Sequence, residues 1–333
     1  MIAMIERRAV LALGLLCLCA VALPFFVSTY YVQFATKALL FGVLAMSLNL
    51  VVGYGGLVSL CHAAFFGLAG YILALVTPKY DPVSLWMTLP LAIIAAGTAA
   101  AIIGALALRT RGVYFIMVTL AFGEMLFYLF HDSKFSGGSD GIFINFKPTA
   151  DIGGWSLLNL EDATSFYLVV VGMTALVLVL LHGLVNSPFG RALAASKDNE
   201  RRARALGFPV FRIRLTAFVI SGMIAGAAGY FSAAQFGFVA PQTLGWHLSA
   251  IVLVMVLIGG LNSVPGPLVG ALVLTGLEEI LKGVTEHWKL AEGIIVIVIV
   301  LAMPNGLDRV LSLLRPQAEP VVGAKPVTEA SHG

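Results

Sequence analysis

The sequence predicts an all-α integral membrane protein with about ten transmembrane helices, on three observations. Of its 333 residues 59% are hydrophobic and only 11% charged, where soluble domains carry roughly 25% charged residues. The apolar residues fall in runs of about 18 to 23, the length a helix needs to cross roughly 30 Å of hydrocarbon, whereas a membrane barrel shows shorter alternating segments. Basic residues are distributed unevenly between the segments that join these runs. The net charge of +3, from 20 basic and 17 acidic side chains, excludes a generally basic nucleic-acid binder. Cys17, Cys19 and Cys61 lie inside apolar runs without metal-ligand or disulfide spacing and read as packing residues.

In chain order the predicted spans are 9–27, 36–52, 59–77, 86–108, 112–130, 164–185, 215–234, 246–259, 265–281 and 290–304. The first also fits a cleavable signal peptide, with Glu6-Arg7-Arg8 ahead of the run and Ala20-Val21-Ala22 at its end. Continuation of the run through Pro24 to Val27 favours a retained span. The eighth and tenth are short, and the uncharged turn from Gly259 to Pro265 fits a re-entrant or strongly tilted segment.

Ten spans and a cytoplasmic N-terminus place 14 basic residues inside: Arg7, Arg8, Arg109, Arg111, Arg191, Lys197, Arg201, Arg202, Arg204, Arg212, Arg214, Arg309, Arg315 and Lys325. Six lysines fall outside, Lys37, Lys79, Lys134, Lys147, Lys282 and Lys289. This asymmetry is the positive-inside signal, and it puts both termini in the cytoplasm. The acid-rich stretch from Asp132 to Asp162 then faces outward. Residues 1–315 form the predicted membrane domain, and the polar tail 316–333 reads as a disordered cytoplasmic segment.

The most informative polar segment is the cytoplasmic loop 186–214. Asp198 or Asn199 can cap a short helix carrying Glu200, Arg201 and Arg204, and Gly207 followed by Pro209 stops it; Arg191 and Lys197 precede it. Too polar for lipid, this helix lies along the cytoplasmic face. Two readings stand side by side: a docking surface for a partner, or a solvated loop whose arginines set topology and bind anionic lipid.

At this point the residues resemble a known family. SPFGRALAASKDNERRARALGF from Ser187 and FRIRLTAFVISGMIAGAAGYFSAAQFGFVAP from Phe211 are similar to the permeases of bacterial high-affinity branched-chain amino acid ABC importers, the Liv family. So are SLNLVVGYGGLVSLCHAAFFGLAGY from Ser47, RGVYFIMVTLAFGE from Arg111, GGSDGI from Gly137 and MVLIGGLNSVPGPLVGAL from Met255. The resemblance covers most of residues 40–283. It implies a permease subunit of the bacterial inner membrane that works beside a second, homologous permease. Two ATP-binding subunits hydrolyse ATP, and a periplasmic binding protein delivers leucine, isoleucine, valine or a related amino acid. Permeases of this family also serve urea and short amides. It implies too that residues 197–207 are the coupling helix that docks into an ATPase groove, although Ala194-Ala195 and Gly207 match the wider class's Glu-Ala-Ala and later glycine imperfectly.

The chain has no G-x-x-x-x-G-K-[ST] loop to cradle phosphates, so no nucleotide or other cofactor is expected on it, nor a catalytic residue or metal ligand. A secondary carrier that acts without ATPases, the competing class, needs ionisable groups near the midplane. Only Glu124 lies well inside a span, 13 residues beyond Arg111, or about 20 Å along a helix. With Tyr128 one turn away as a hydrogen-bond partner, it fits a proton relay, a pathway lining or an interhelical tie.

The small residues Gly67 and Gly70, then Ser221, Gly222, Ala225, Gly226 and Gly229, predict close helix packing. Gly55-Gly56-Leu57-Val58-Ser59-Leu60 and Gly259-Gly260-Leu261-Asn262-Ser263-Val264 look alike, which suggests two weakly repeated halves with glycine-broken helices; such breaks often line a transport pathway. Candidate pathway residues are Asn49, Ser59, His62, Glu124 and Gln235, with His62 equally at home as a packed, hydrogen-bonded side chain.

Overall fold

The computed structural model describes residues 24, 27–78, 80–152, 155–156, 159–261 and 263–302. The predicted span 9–27, apart from Pro24 and Val27, and the tail 316–333 lie outside the described residues. Eleven helices are described: α1 (Thr29–Asn49), α2 (His62–Val76), α3 (Leu85–Ala107), α4 (Val113–His131), α5 (Ala163–Asn186), α6 (Pro188–Asp198), α7 (Glu200–Ala205), α8 (Val210–Phe236), α9 (Trp246–Gly259), α10 (Gly266–Val284) and α11 (Trp288–Ala302). Among the described residues the membrane part is all-α. Four two-residue strands decorate the connections: β1 (Ile142–Phe143) pairs antiparallel with β4 (Phe238–Val239), and β2 (Asp151–Ile152) with β3 (Trp155–Ser156).

The count of ten spans is not reached among the described residues. Six segments are long and apolar enough to cross a membrane: 29–54, 85–107, 113–131, 163–186, 210–236 and 241–259. The others fall short for physical reasons. Helix α2 has 15 residues, about 22 Å of rise against roughly 30 Å of hydrocarbon. Helix α10 carries Glu278, Glu279 and Lys282 among its 19 residues. Helix α11 has 15 residues within the described range.

The elements sort into a core and a jacket. Helix α1 is buried along most of its second half and packs on α5, α8, α9 and α10, while α8 packs on α2 and α3. Helices α3, α4 and α5 present Ile94, Ile102, Met117, Met125, Leu176 and Val179 outward. Exposed aliphatic rows of this kind suit lipid, and the apolar length of these helices matches it.

The small-residue face of α8 does what its spacing predicts. A Cβ on Gly222 or Gly226 would come within 2.4 Å of the Ala100 methyl or 2.5 Å of the Ala96 methyl on α3, and one on Gly229 within 1.9 Å of the Phe66 carbonyl on α2. Backbones in lipid gain van der Waals contact by such approach, where no hydrophobic drive separates helix from helix.

The loop helix departs from expectation. In place of one helix over 197–207 there are two, α6 and α7, broken at Asn199, whose backbone is extended at φ −154° and ψ 97°. The reason is a pair of caps. The Ser187 hydroxyl accepts the Gly190 N–H at 3.3 Å with Pro188 at the first helical position, and the Asn199 side chain accepts the Arg202 N–H at 2.9 Å. Asn199, rather than Asp198, is therefore the cap. Gly207, at φ +87°, ends the segment.

Candidate functional site

Two helix interruptions meet at the end of the bundle that carries the loop. Helix α1 closes on a π-helical turn, Leu50–Tyr54, and the chain runs irregularly through 55–61 before α2. Helix α9 stops at Gly259, and α10 starts at Gly266. Across the gap the Asn49 amide donates to the Ser263 carbonyl at 3.0 Å. Gly53 lies so close to the second break that a Cβ there would sit 2.4 Å from the Leu261 carbonyl. The second of the two look-alike glycine segments thus packs on the turn just ahead of the first.

Irregular backbone at membrane depth persists only where its polar groups find partners. Here side chains supply them: Thr119 on α4 accepts the Leu60 N–H at 3.3 Å, and in the first turn of α2, where an N–H also lacks an intrahelical partner, Ser249 on α9 accepts that of Ala63 at 3.0 Å. The Asn49 Oδ1 is buried with no partner among the described residues.

The loop reaches this junction directly. Lys197, at the end of α6, donates from Nζ to the Gly53 carbonyl at 2.7 Å, and its stem lies where a Cβ on Gly56 would come within 2.7 Å of Lys197 Cγ. The last carbonyls of a helix lack intrahelical donors and carry its negative dipole end. An ammonium is well matched to them.

Beside it, the Glu200 carboxylate gathers three arginines: Arg204 at 2.5 Å, Arg214 at 3.2 Å and Arg111 at 3.2 Å. Arg214 also donates to the Ser196 carbonyl at 2.7 Å. Glu200 therefore binds α7 to the foot of α8 and to the α3–α4 connection. Arg191, Asp198, Asn199, Arg201, Arg204 and Gly207 are exposed on the loop surface. The sequence reading missed the apolar half of that surface, where Leu206 is 71% exposed beside exposed Phe208 and Phe211.

Ser59 and His62 sit inside the bundle and are fully buried. Ser221 on α8 donates its hydroxyl hydrogen to the Ser47 carbonyl at 2.5 Å, so its oxygen accepts from His62 Nε2, 2.7 Å away. That leaves His62 Nδ1 to accept from Ser59 at 3.1 Å. A neutral imidazole satisfies the whole chain of bonds, which ties α2 to α1 and α8.

The last two candidates lie toward the other end of the bundle. Glu124 accepts the Trp246 N–H at 3.1 Å, capping α9, where a carboxylate complements the helix dipole. Tyr128, the partner expected for it, instead meets Phe127 and His131 edge-on. Gln235 donates to the Gln33 carbonyl at 2.8 Å. The five pathway candidates therefore do not form one site. Asn49 belongs to the junction, Ser59 and His62 to the buried tie, Glu124 and Gln235 to the far end.

These features define a multi-span helical membrane protein in which a basic loop bonds the end of one interrupted helix and that end packs on a second interruption, the build of a transport permease. The chain belongs to the family described as branched-chain amino acid transport system / permease component, whose model matches residues 30–303. It is 34% identical over 324 residues to the high-affinity branched-chain amino acid transport system permease protein LivM of Escherichia coli K12, covering 92% of this chain and 75% of that one. The LivM protein of Salmonella typhimurium LT2 is 34% identical over 317 residues, covering 90% and 74%. The autoinducer 2 import system permease protein LsrC of Klebsiella pneumoniae is 37% identical over 133 residues, 38% of this chain and 39% of that one. No solved structure matches the chain.

Proposed function

We propose that this chain is the permease subunit of an ATP-driven importer of leucine, isoleucine, valine or close relatives in a bacterial inner membrane. It works beside a second permease, receives its substrate from a periplasmic binding protein, and is driven by two ATP-binding subunits docked on the cytoplasmic loop 186–214. The observation that carries this reading is the bond from Lys197 to the Gly53 carbonyl. Through it, a displacement of the loop bears on the end of α1 and on the second break packed against it.

The exposed part of the loop suits a protein partner better than lipid headgroups alone. Exposed Arg191, Arg201 and Arg204 share the loop with the exposed apolar side chains of Leu206 and Phe208, the mixture of apolar and charged groups that protein interfaces use. Glu200, clamped by its arginines, keeps α7 aligned with the foot of α8, so docking force passes into the longest of the described helices.

The test is co-purification with candidate ATP-binding subunits, followed by leucine uptake into proteoliposomes. Intact loop predicts a stable complex and ATP-dependent uptake; replacing Leu206 and Phe208 together by Asp predicts loss of the ATP-binding subunits with the permease still folded. Uptake by this chain alone, without ATP, sinks the proposal.

A further inference from the structure

A cavity of about 270 Å³ lies between α1, α2, α8, α9 and the β4 segment, away from the junction that the loop grips. Phe41, Phe66, Phe236, Phe238, Leu248 and Ile251 supply most of its wall, and Ser232, Gln242, Thr243 and His247 supply polar groups. No Asp, Glu, Lys or Arg lines it. Phe236, Gln242 and His247 are exposed, so the mouth opens at the end that carries the 237–245 connection, the end expected to face the periplasm. At the inner end the Phe41 and Phe66 rings stack with centroids 6.1 Å apart. Phe66 stands one helical turn from His62, so this aromatic floor separates the cavity from the buried histidine tie.

We infer that this cavity is the outward-facing transit site for one aliphatic amino acid, with the branched side chain against the aromatic and aliphatic wall and the charged head group at the polar side. The inference rests on the proposed import of such amino acids and names where in this chain they pause. Size supports it: an apolar cavity of roughly 150 Å³ holds a benzene molecule, and drug-sized ligands occupy about 300 to 1,000 Å³. A space of 270 Å³ suits a molecule between these, of leucine's size.

The polar groups suit a zwitterion. Thr243 already donates its hydroxyl hydrogen to the Ala240 carbonyl at 2.7 Å, which leaves its oxygen an acceptor for an ammonium. The Ser232 hydroxyl and the Gln242 amide can donate to a carboxylate. With no fixed charge to hold either end, occupancy is weak, as passage requires.

Glu124 and Gln235 then have positioning roles. Glu124 caps α9 at Trp246, immediately before His247 and Leu248 of the wall. Gln235 anchors α8 to the Gln33 carbonyl of α1, next to Phe236 at the mouth.

The experiment uses the complete complex in proteoliposomes, with Ser232→Cys in this chain and the unsubstituted protein as control. A bulky, membrane-impermeant methanethiosulfonate is applied from the side of the binding protein. The inference expects labelling at position 232, slowed at least fivefold by leucine and not by lysine, and leucine uptake reduced at least tenfold once labelled. Ile251→Cys on the opposite wall serves the same purpose if Ser232→Cys does not assemble. Absence of labelling, or uptake unchanged by it, overturns the inference alone. A complete unlabelled complex that imports no aliphatic amino acid overturns the proposed function and this inference with it.

Discussion

At the scale of single residues, the buried histidine shows how one side chain can unite three helices. His62 bonds Ser59 and Ser221, and Ser221 passes the chain on to the Ser47 carbonyl. Removing the ring takes one bond from each of two buried hydroxyls, which keep Ser47 and Cys61 as partners, a loss of about 0.5–1.5 kcal/mol per bond. His62→Phe keeps the aromatic packing against Phe65 and Phe218 while deleting the bonds, so it should lower the thermal midpoint in detergent. In a double-mutant cycle with Ser221→Ala the two losses should fall short of additivity by about 1 kcal/mol; strictly additive losses would deny the bond. The sequence allowed His62 to be a packed, hydrogen-bonded residue but could not name its partner, because Ser221 lies 159 positions away. Lys197 was legible as a cytoplasmic cation and not as one bonded to the end of α1, since nothing local reveals a bond to Gly53 across 144 positions.

At the scale of elements, apolar length and loop punctuation located most helices well. Helix α9 begins and ends where the apolar run does, at 246 and 259, and α3, α4 and α5 match to within a residue. Helix α8 runs from Val210, ahead of the predicted start at 215, because Arg212 and Arg214 remain helical outside the apolar run once Ser196 and Glu200 bond Arg214. The loop helix was misjudged for a different reason. Ser187-Pro188 is itself a helix start, and reading Asp198 or Asn199 as the only cap hid α6.

Close packing belongs to this scale too. The α2–α8 pair depends on Gly229, where any side chain would collide with the Phe66 carbonyl. Gly229→Leu should therefore separate the helices and abolish recovery of folded protein, while Gly172→Leu, at a position with open space, should be tolerated. Size-exclusion profiles of the two variants in one detergent check this; equal recovery would contradict the packing argument.

At the scale of the whole molecule, three levels stack along the bundle. A gripped junction of two helix breaks lies at the loop end, a buried polar tie sits above it, and an open cavity faces the other end. Alternating access requires that a push at one end change the other, and rigid helices with interrupted ends can transmit it as rocking about the breaks. The central link is the Lys197 ammonium on the Gly53 carbonyl. A hydrogen bond to a charged group contributes about 1.5–3 kcal/mol, so its loss can shift a conformational equilibrium tenfold or more. The most direct measurement is the number of leucine molecules imported per ATP hydrolysed by the reconstituted complex carrying Lys197→Met. The account predicts that hydrolysis continues while that ratio falls about tenfold, with partial recovery in Lys197→Arg. An unchanged ratio in a fully assembled Lys197→Met complex would contradict it.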